Sequence, residues 1–264
     1  MVAGFPSCAT AVAAECTETG FLARSDTRKF HLESPLGGPD FMHVHGMCKA
    51  HTMRLDHVSY AVSHHELADT VQRFGADLGA SFIDGGRHPR FGTQNFILPL
   101  QGNTYIEIVA ALDHPAAEQA AFGRAVRQRA EAGGGWLGWV VAVQDISPIE
   151  HRLGREAIPG HRRRPDGYDL QWKQLGVRDL LTDPQLPFFI EWISPAAEHP
   201  SHGANELSIA SIDIAGDADV VSEWLGEPSA HPLDDIDVAW VSSEDGAGIT
   251  SVTFQTPHGA ITID

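Results

Sequence analysis

Two glutamates stand in settings that a core strand does not ordinarily tolerate. Glu107 lies between Ile106 and Ile108, and Glu191 is embedded in Phe188-Phe189-Ile190-Glu191-Trp192. A carboxylate in an apolar strand needs a partner charge, a proton or a metal. His57, in Leu55-Asp56-His57-Val58, is the imidazole best placed by its strand to join them. Successive strand residues point to opposite faces, so Leu55, His57 and Ser59 share one face and Tyr105, Glu107 and Val109 another. By the same rule Glu191 goes with Phe189 and Ile193, and Trp139 with Leu137 and Val141. One imidazole and two carboxylates converging in a cleft suit Zn²⁺, Fe²⁺, Mn²⁺ or Ni²⁺ with positions left open for a substrate. The competing reading has no metal: the two glutamates pair, within a ligand pocket, with Arg87 or with the run Arg162-Arg163-Arg164.

These residues recur at matching places in a repeat. The first copy reads as a strand at 54–62, a helix over 67–79, a Gly/Arg/His-rich loop at 85–92, and strands at 94–100 and 104–110. Ser63 and Glu66 form a capping-box pattern ahead of the helix, and Gln101-Gly102-Asn103 a hairpin turn. A linking helix over 116–132 leads to a second copy. That copy has a strand at 136–143, a short helix with a second capping box at Ser147 and Glu150, a basic loop at 161–164, and strands at 168–175 and 187–193. A third, divergent copy begins with a strand at 207–214. A helix capped by Asp217 and strands at 237–241, 249–256 and 260–263 follow. The expected fold is α+β: tandem βαβββ units form curved sheets around a cleft, with a third βαβββ-like unit packed on the same domain. The boundaries are 53–200 for the pair and 201–264 for the third unit.

Residues 1–52 have no regular period and are expected to be a disordered extension or the product of an upstream start codon, dispensable for stability. They hold all three cysteines, Cys8, Cys16 and Cys48, so no thiol chemistry falls elsewhere. His43, His45, Cys48 and His51 do not match a common zinc spacing.

Composition narrows the partners. Eighteen Lys and Arg against 35 Asp and Glu give a formal charge of -17, which repels phosphate backbones and anionic lipid. All 18 bases lie at or before Arg178, while 16 of the acids lie from Asp179 onward, so the acidic third is expected to be a solvated cover beside a near-neutral site. No apolar run reaches the length of a membrane span, no basic residue precedes the short Ala11–Ala14 run, and a cytoplasmic protein is expected. A phosphate-binding loop with Lys and a Gly-x-Ser-x-Gly elbow are both absent, and Gly133-Gly134-Gly135 precedes its strand, unlike a dinucleotide fingerprint.

Over about residues 54–264 the sequence resembles the glyoxalase-like domain proteins of the vicinal oxygen chelate superfamily, which also holds lactoylglutathione lyase, extradiol dioxygenases and bleomycin-resistance proteins. The resemblance rests on Leu55-Asp56-His57-Val58, Gly85-Gly86-Arg87-His88-Pro89, Gly92-Thr93-Gln94-Asn95, Tyr105-Ile106-Glu107-Ile108 and Leu186-Pro187-Phe188-Phe189-Ile190-Glu191-Trp192. Metal-using members take one ligand from the first and one from the last strand of each unit. Carried over, these positions are His57, Glu107, Trp139 and Glu191. The first, second and fourth are metal ligands by type; Trp139 is not, and stands where His or Gln is usual.

The resemblance implies a small oxygenated substrate whose adjacent oxygens chelate a divalent metal, with Glu107 or Glu191 as general base, in lyase, isomerase or dioxygenase chemistry. Arg87 or His88 holds an anionic group, Asn95 is a pocket donor, and Trp139 and Trp172 are walls. The alternative is a non-catalytic protein, without metal, that sequesters an aromatic compound or antibiotic. A homodimer is compatible with the fold, as is pairing of the units within one chain.

Overall fold

The computed structural model describes residues 53–264 except 204–205, 228–232, 234–235 and 243–245. The expected extension at 1–52, with its cysteines and its His43–His51 cluster, lies outside the described residues. The first unit runs β1 (Arg54–Val62), α1 (Leu67–Leu78), β2 (Ile83–His88), β3 (Thr93–Leu100) and β4 (Thr104–Ala111). Two helices follow, α2 (Pro115–Gln119) and α3 (Ala121–Glu131), where one was expected; extended backbone at Ala120 separates them. The second unit is β5 (Gly135–Ala142), α4 (Ser147–Leu153), β6 (Ile158–Arg163), β7 (Asp169–Leu175) and β8 (Phe188–Trp192).

These eight strands close into one barrel in the order β1-β4-β3-β2-β6-β7-β8-β5. The tandem units therefore pair within the chain, and their curved sheets enclose an interior. β1 and β4 run parallel, as do β5 and β8, so the units are related by a pseudo-twofold axis. β5 is buried throughout, which is why it reads as an almost continuous apolar run; β1 is nearly as buried but carries Asp56, His57 and Ser59.

Two strands replace expected loops. β2 begins before the Gly-rich stretch and takes in its first half, Gly85 to His88, and β6 contains His161, Arg162 and Arg163. The glycines that suggest a loop are there for close approach. A Cβ on Gly85 would stand 2.2 Å from Oδ1 of Asn95, and one on Gly86, at φ 97°, 2.2 Å from the carbonyl of Arg163. The capping box at Ser63 forms with its reciprocal bonds: the Glu66 amide donates to the Ser63 hydroxyl and the Ser63 amide to the Glu66 carboxylate, each at 3.3 Å. The one at Ser147 does not: Glu150 accepts from the Ala157 amide instead, at 2.7 Å.

The third unit has β9 (Ser208–Ala215), α5 (Ala218–Leu225), β10 (Asp237–Val241), β11 (Gly248–Thr256) and β12 (Gly259–Ile263). Asp217 caps α5, as its sequence predicts, accepting from the amides of Asp219 and Val220. The unit repeats the order of elements but not the pairing. Its sheet runs β10-β9-β11-β12, with β9 central, and β9 does not pair with β12. This sheet lies on the outer face of β1 and β5. There Leu55, Val58, Tyr60, Trp136, Trp139 and Val141 share one apolar core with Ile209, Ile212, Ile214 and Phe254. The Trp136 indole donates to the Ile263 carbonyl at 3.0 Å, and Arg152 donates to the last carbonyls of α5, a C-terminal cap from another unit.

Candidate functional site

Inside the barrel is a cavity of about 30 Å³, room for about two waters. His57, His88, Tyr105, Glu107 and Arg162 give it polarity; Phe91, Phe122, Trp172, Phe188, Ile190 and Trp192 give it apolar walls, and Gln174 completes it. Phe122 arrives from α3, which packs against β1, β4 and β5. The 3-10 turn Ala196–Glu198 carries the chain to His199, which packs against Tyr105 and Trp192.

Glu107 is the centre of the polar side. Ser59 lies opposite it across the β1–β4 pair and donates to Oε2 at 2.7 Å. Asn95 on β3 donates to Oε1 at 2.6 Å. Nε2 of His57 stands 3.9 Å from Oε2, and Nε2 of His88 stands 4.0 Å from Oε1. Burial alone would raise this carboxyl, but the two imidazoles and the two hydrogen bonds outweigh it and hold Glu107 below the usual carboxylate range. Burial pushes His88 down to about 3, so it is neutral. Its Nδ1 is 2.8 Å from the Thr93 hydroxyl.

His57 is held by the residue before it. Nδ1 lies 3.1 Å from Oδ1 of Asp56, a fully buried side chain whose other oxygen meets His199 at 3.0 Å and the Trp192 indole at 2.9 Å. Burial opposes ionisation of Asp56, but its bonds to His199 and His57 prevail and keep it far below its ordinary range. An ionised Asp56 only accepts, so the network assigns the Nδ1 proton to His57 and turns Nε2 toward Glu107. Tyr105 stacks on the His57 ring with centroids 4.4 Å apart, and burial, then Asp56 and Glu107, keep its hydroxyl protonated.

The structure sorts the residues expected from sequence. His57, His88, Glu107 and Trp172 line the cavity, and Asn95 positions Glu107. Arg87 does not: it is exposed on β2, with its side chain away from the interior. Trp139 and Glu191 sit on the outer faces of their strands. Trp139 is packed beneath the third sheet and donates to the Gln185 carbonyl at 2.9 Å. Glu191 accepts from the Ile146 amide at 2.9 Å and pairs with Lys173 at 3.2 Å.

The cause is register. The β1–β5 ladder slips between Leu55 and His57 and again between Ser59 and Tyr60, and a one-residue slip exchanges the faces of a strand. His57 therefore pairs with Val140, not Trp139, and Val140 pairs with Phe188. The pseudo-twofold equivalents of His57, Tyr105 and Glu107 are Val140, Phe188 and Ile190. On the remaining strands Trp172 corresponds to Asn95 and Arg162 to His88. The interior is thus polar on the first unit's side and mainly apolar on the second's.

That asymmetry decides the fit of a divalent metal. The two ligand positions of the second unit are filled by Val140 and Ile190, and both oxygens of Glu107 already accept hydrogen bonds. Among the described residues no group of three or more His, Cys, Asp or Glu is arranged to hold a metal ion. The expected set His57, Glu107 and Glu191 is not brought together, and the residues present do not fit the metal that the resemblance implies.

Sequence reasoning missed Asp56, Ser59 and Tyr105 as site residues, and offered Arg162 only as one of the run Arg162-Arg163-Arg164, as an ion-pair partner for the glutamates, which it is not. The signal for Arg162 is its spacing of two from Gly160, which puts it on the inner face of β6. Gly160 has no side chain because the Trp172 ring lies over it, 2.4 Å from where a Cβ would be.

Comparison with known proteins agrees with this architecture. The family model described as a glyoxalase-like domain matches residues 55–228. No curated protein sequence matches the chain significantly. A hypothetical protein from Staphylococcus aureus shares the fold with a TM-score of 0.59 and 17% identity, over 76% of this chain and 90% of that one. Methylmalonyl-CoA epimerase from Mycobacterium tuberculosis aligns with a TM-score of 0.36 and 19% identity, over 54% of this chain and 89% of that one. The Streptomyces coelicolor epimerase in complex with 2-nitronate-propionyl-CoA gives 0.38 and 16%, over 55% of this chain and all of that one. At such identities the first likeness bears on the fold alone, and at such TM-scores the epimerase alignments carry no argument.

Proposed function

Because the chain belongs to the glyoxalase-like domain family of the vicinal oxygen chelate superfamily, we propose that its barrel interior takes a small oxygenated molecule and moves a proton on it. The observation that carries this reading is the Glu107 carboxylate, buried and ionised, with an imidazole within 4.0 Å on either side. Packing does not need that polarity, and each buried polar group costs stability unless it is matched.

The roles follow from geometry. Glu107 accepts the proton from a carbon beside a carbonyl or carboxyl group. Its ionised state is secured at neutral pH by its hydrogen-bond donors, and an apolar ligand body that excludes water raises its basicity. Neutral His88 and the Arg162 cation face the oxygen on which charge develops. Asp56 fixes the His57 ring so that Nε2 is presented to the same space, the role a buried carboxylate plays for an imidazole base. The reaction class is isomerase or lyase chemistry by proton transfer, supported by the site's own acid–base groups. Dioxygenase chemistry through His57, Glu107 and Glu191 has no support from the geometry.

The test is proton exchange. Pyruvate, 2-oxobutyrate, phenylpyruvate and hydroxyacetone are incubated with the protein in deuterated buffer and their C–H signals followed by NMR. Exchange of at least one of them faster than in buffer, abolished by Glu107→Gln, is expected. No acceleration for any of the four, or undiminished exchange by Glu107→Gln, would overturn the reading.

One observation favours the alternative, sequestration of an aromatic compound. The second unit's side of the cavity presents Trp172, Phe188, Ile190 and Trp192. In that case aromatic ligands change the tryptophan fluorescence equally in the wild type and in Glu107→Gln.

A further inference from the structure

Arg162 is the least expected side chain in the barrel. It is only 3% exposed, and it lines the same cavity as the acid–base groups, on the strand next to that of His88. Among the described residues it makes no ion pair and no hydrogen bond, and its buried Nε is one of three such side-chain atoms without a partner. Its neighbours avoid that state: Arg163 is exposed, and Arg164 pairs with Asp166 at 2.6 Å and with Glu198 at 2.9 Å. Burying an unpaired guanidinium is costly, and guanidinium does not shed its proton to escape the cost. Glu107 and Tyr105 lie within electrostatic reach, but neither bonds it. Glu107 spends both oxygens on Ser59 and Asn95.

We infer that Arg162 is the anchor for a carboxylate, so that the molecule taken by this barrel is a small monocarboxylic acid with an apolar body. The inference rests on the proposed ligand site and names its substrate class. The planar fork of guanidinium matches a carboxylate with two parallel hydrogen bonds. Gln174, whose buried Nε2 is likewise unpartnered, offers a further donor on the same wall. Both unpartnered donors belong to the second unit, and the remainder of that unit's wall is apolar. A ligand is therefore held by its acid group on Arg162, its body parts the side chains of Phe91, Phe122, Trp172 and Phe188 because the empty cavity has room for only about two waters, and its carbon next to the carboxyl is turned toward Glu107. A phosphate fits less well: its second negative charge would face Glu107, and it has no apolar body for the aromatic wall.

The experiment measures binding and needs no turnover. Propionate and benzoate are titrated against propionamide and benzamide, with tryptophan fluorescence and one-dimensional NMR of the ligands as readouts. Trp172 and Trp192 line the cavity and report occupancy. In the wild-type protein each acid is expected to bind at least tenfold more tightly than its amide. In Arg162→Gln the acids fall to within twofold of the amides, and amide binding is unchanged. That variant loses an unpaired buried charge, so its melting temperature stays or rises. Should Arg162→Gln fail to fold, benzoate protection of the wild-type melting temperature, with no protection by benzamide, carries the same decision. Equal binding of acid and amide, a preference kept in Arg162→Gln, no binding of any of the four at 10 millimolar scale (about 10⁻² M, far weaker than such contacts provide), or inorganic phosphate competing as well as propionate would each overturn the inference. Carboxylate binding without deuterium exchange would retain the anchor and sink the proton-transfer reading; exchange of hydroxyacetone with no acid preference would do the reverse.

Discussion

Ser59 and Glu107 are direct partners across the parallel β1–β4 pair, and the serine hydroxyl donates to the glutamate at 2.7 Å. The two ends of one βαβββ unit thereby fix the carboxylate of the site. A hydrogen bond to a charged group is worth about 1.5–3 kcal/mol when buried. Ser59→Ala is accordingly expected to raise the Glu107 carboxyl toward its ordinary value and to lower stability by roughly that amount. Carboxyl-carbon NMR across a pH series, with urea unfolding, checks both. An unmoved Glu107 titration would show that the serine does not set its charge.

Gly85 leaves the space that Asn95 occupies. A methyl there would stand 2.2 Å from Asn95 Oδ1, so Gly85→Ala must push the amide off Glu107. The expected cost is about 1–3 kcal/mol, as for other overpacked positions. Asn95→Ala should lower stability through the same lost bond, and the double variant should cost less than the sum of the two. Strict additivity in thermal unfolding would mean that the glycine serves only the backbone.

The site makes the protein sensitive to acid. The ordinary value of His88 is 6.5 and burial takes it to about 3, so between these values the unfolded chain binds the extra proton. Stability from this neutral imidazole is full above pH 6.5 and is lost as pH falls toward 3. Glu107, held below 4.5, adds a loss in the same direction at lower pH, when it must be protonated. Unfolding free energy is expected to drop by up to about 1.4 kcal/mol per pH unit below pH 6.5. His88→Phe, although less stable at neutral pH, should show a flatter dependence between pH 4 and 6.5. An equal slope in the variant would place the effect elsewhere.

Trp139 and Glu191 should separate from the site. Glu191→Ala removes a half-exposed ion pair with Lys173, worth about 0–1 kcal/mol, and one acceptor for the Ile146 amide. Trp139→Phe loses the bond to the Gln185 carbonyl and leaves a void, at about 1–3 kcal/mol. Neither should change ligand binding by more than about twofold, a difference of ~0.4 kcal/mol. A larger effect of Glu191→Ala on binding would return that residue to the site.

Elemental analysis of protein made without a histidine tag tests the metal argument. Zn, Fe, Mn and Ni are each expected far below one equivalent, and a chelator should leave the melting temperature unchanged. One equivalent of any of them, lost in His57→Ala, would contradict the donor-set reasoning.

Much of the site was legible in the first unit. An acid between Ile106 and Ile108, a histidine in an apolar first strand, and unbroken alternation along β4 were enough to put His57 and Glu107 on one interior. The second unit was misread because its spacing suggested Trp139 and Glu191 as their counterparts. Two shifts in the β1–β5 ladder, invisible in composition and period, turn both residues outward. The strands β2 and β6 were hidden by glycines that serve contact with Asn95, Arg163 and Trp172.

The sequence by itself determined the tandem βαβββ order and the buried glutamate, because alternation, capping residues and the cost of burying charge are local facts. Which residues of the second unit face that glutamate was decided only when the barrel closed, since register is set by strand pairing at long range. Closure put Val140 and Ile190 where metal ligands would stand, and brought Arg162, but not its exposed neighbour Arg163, inside the barrel.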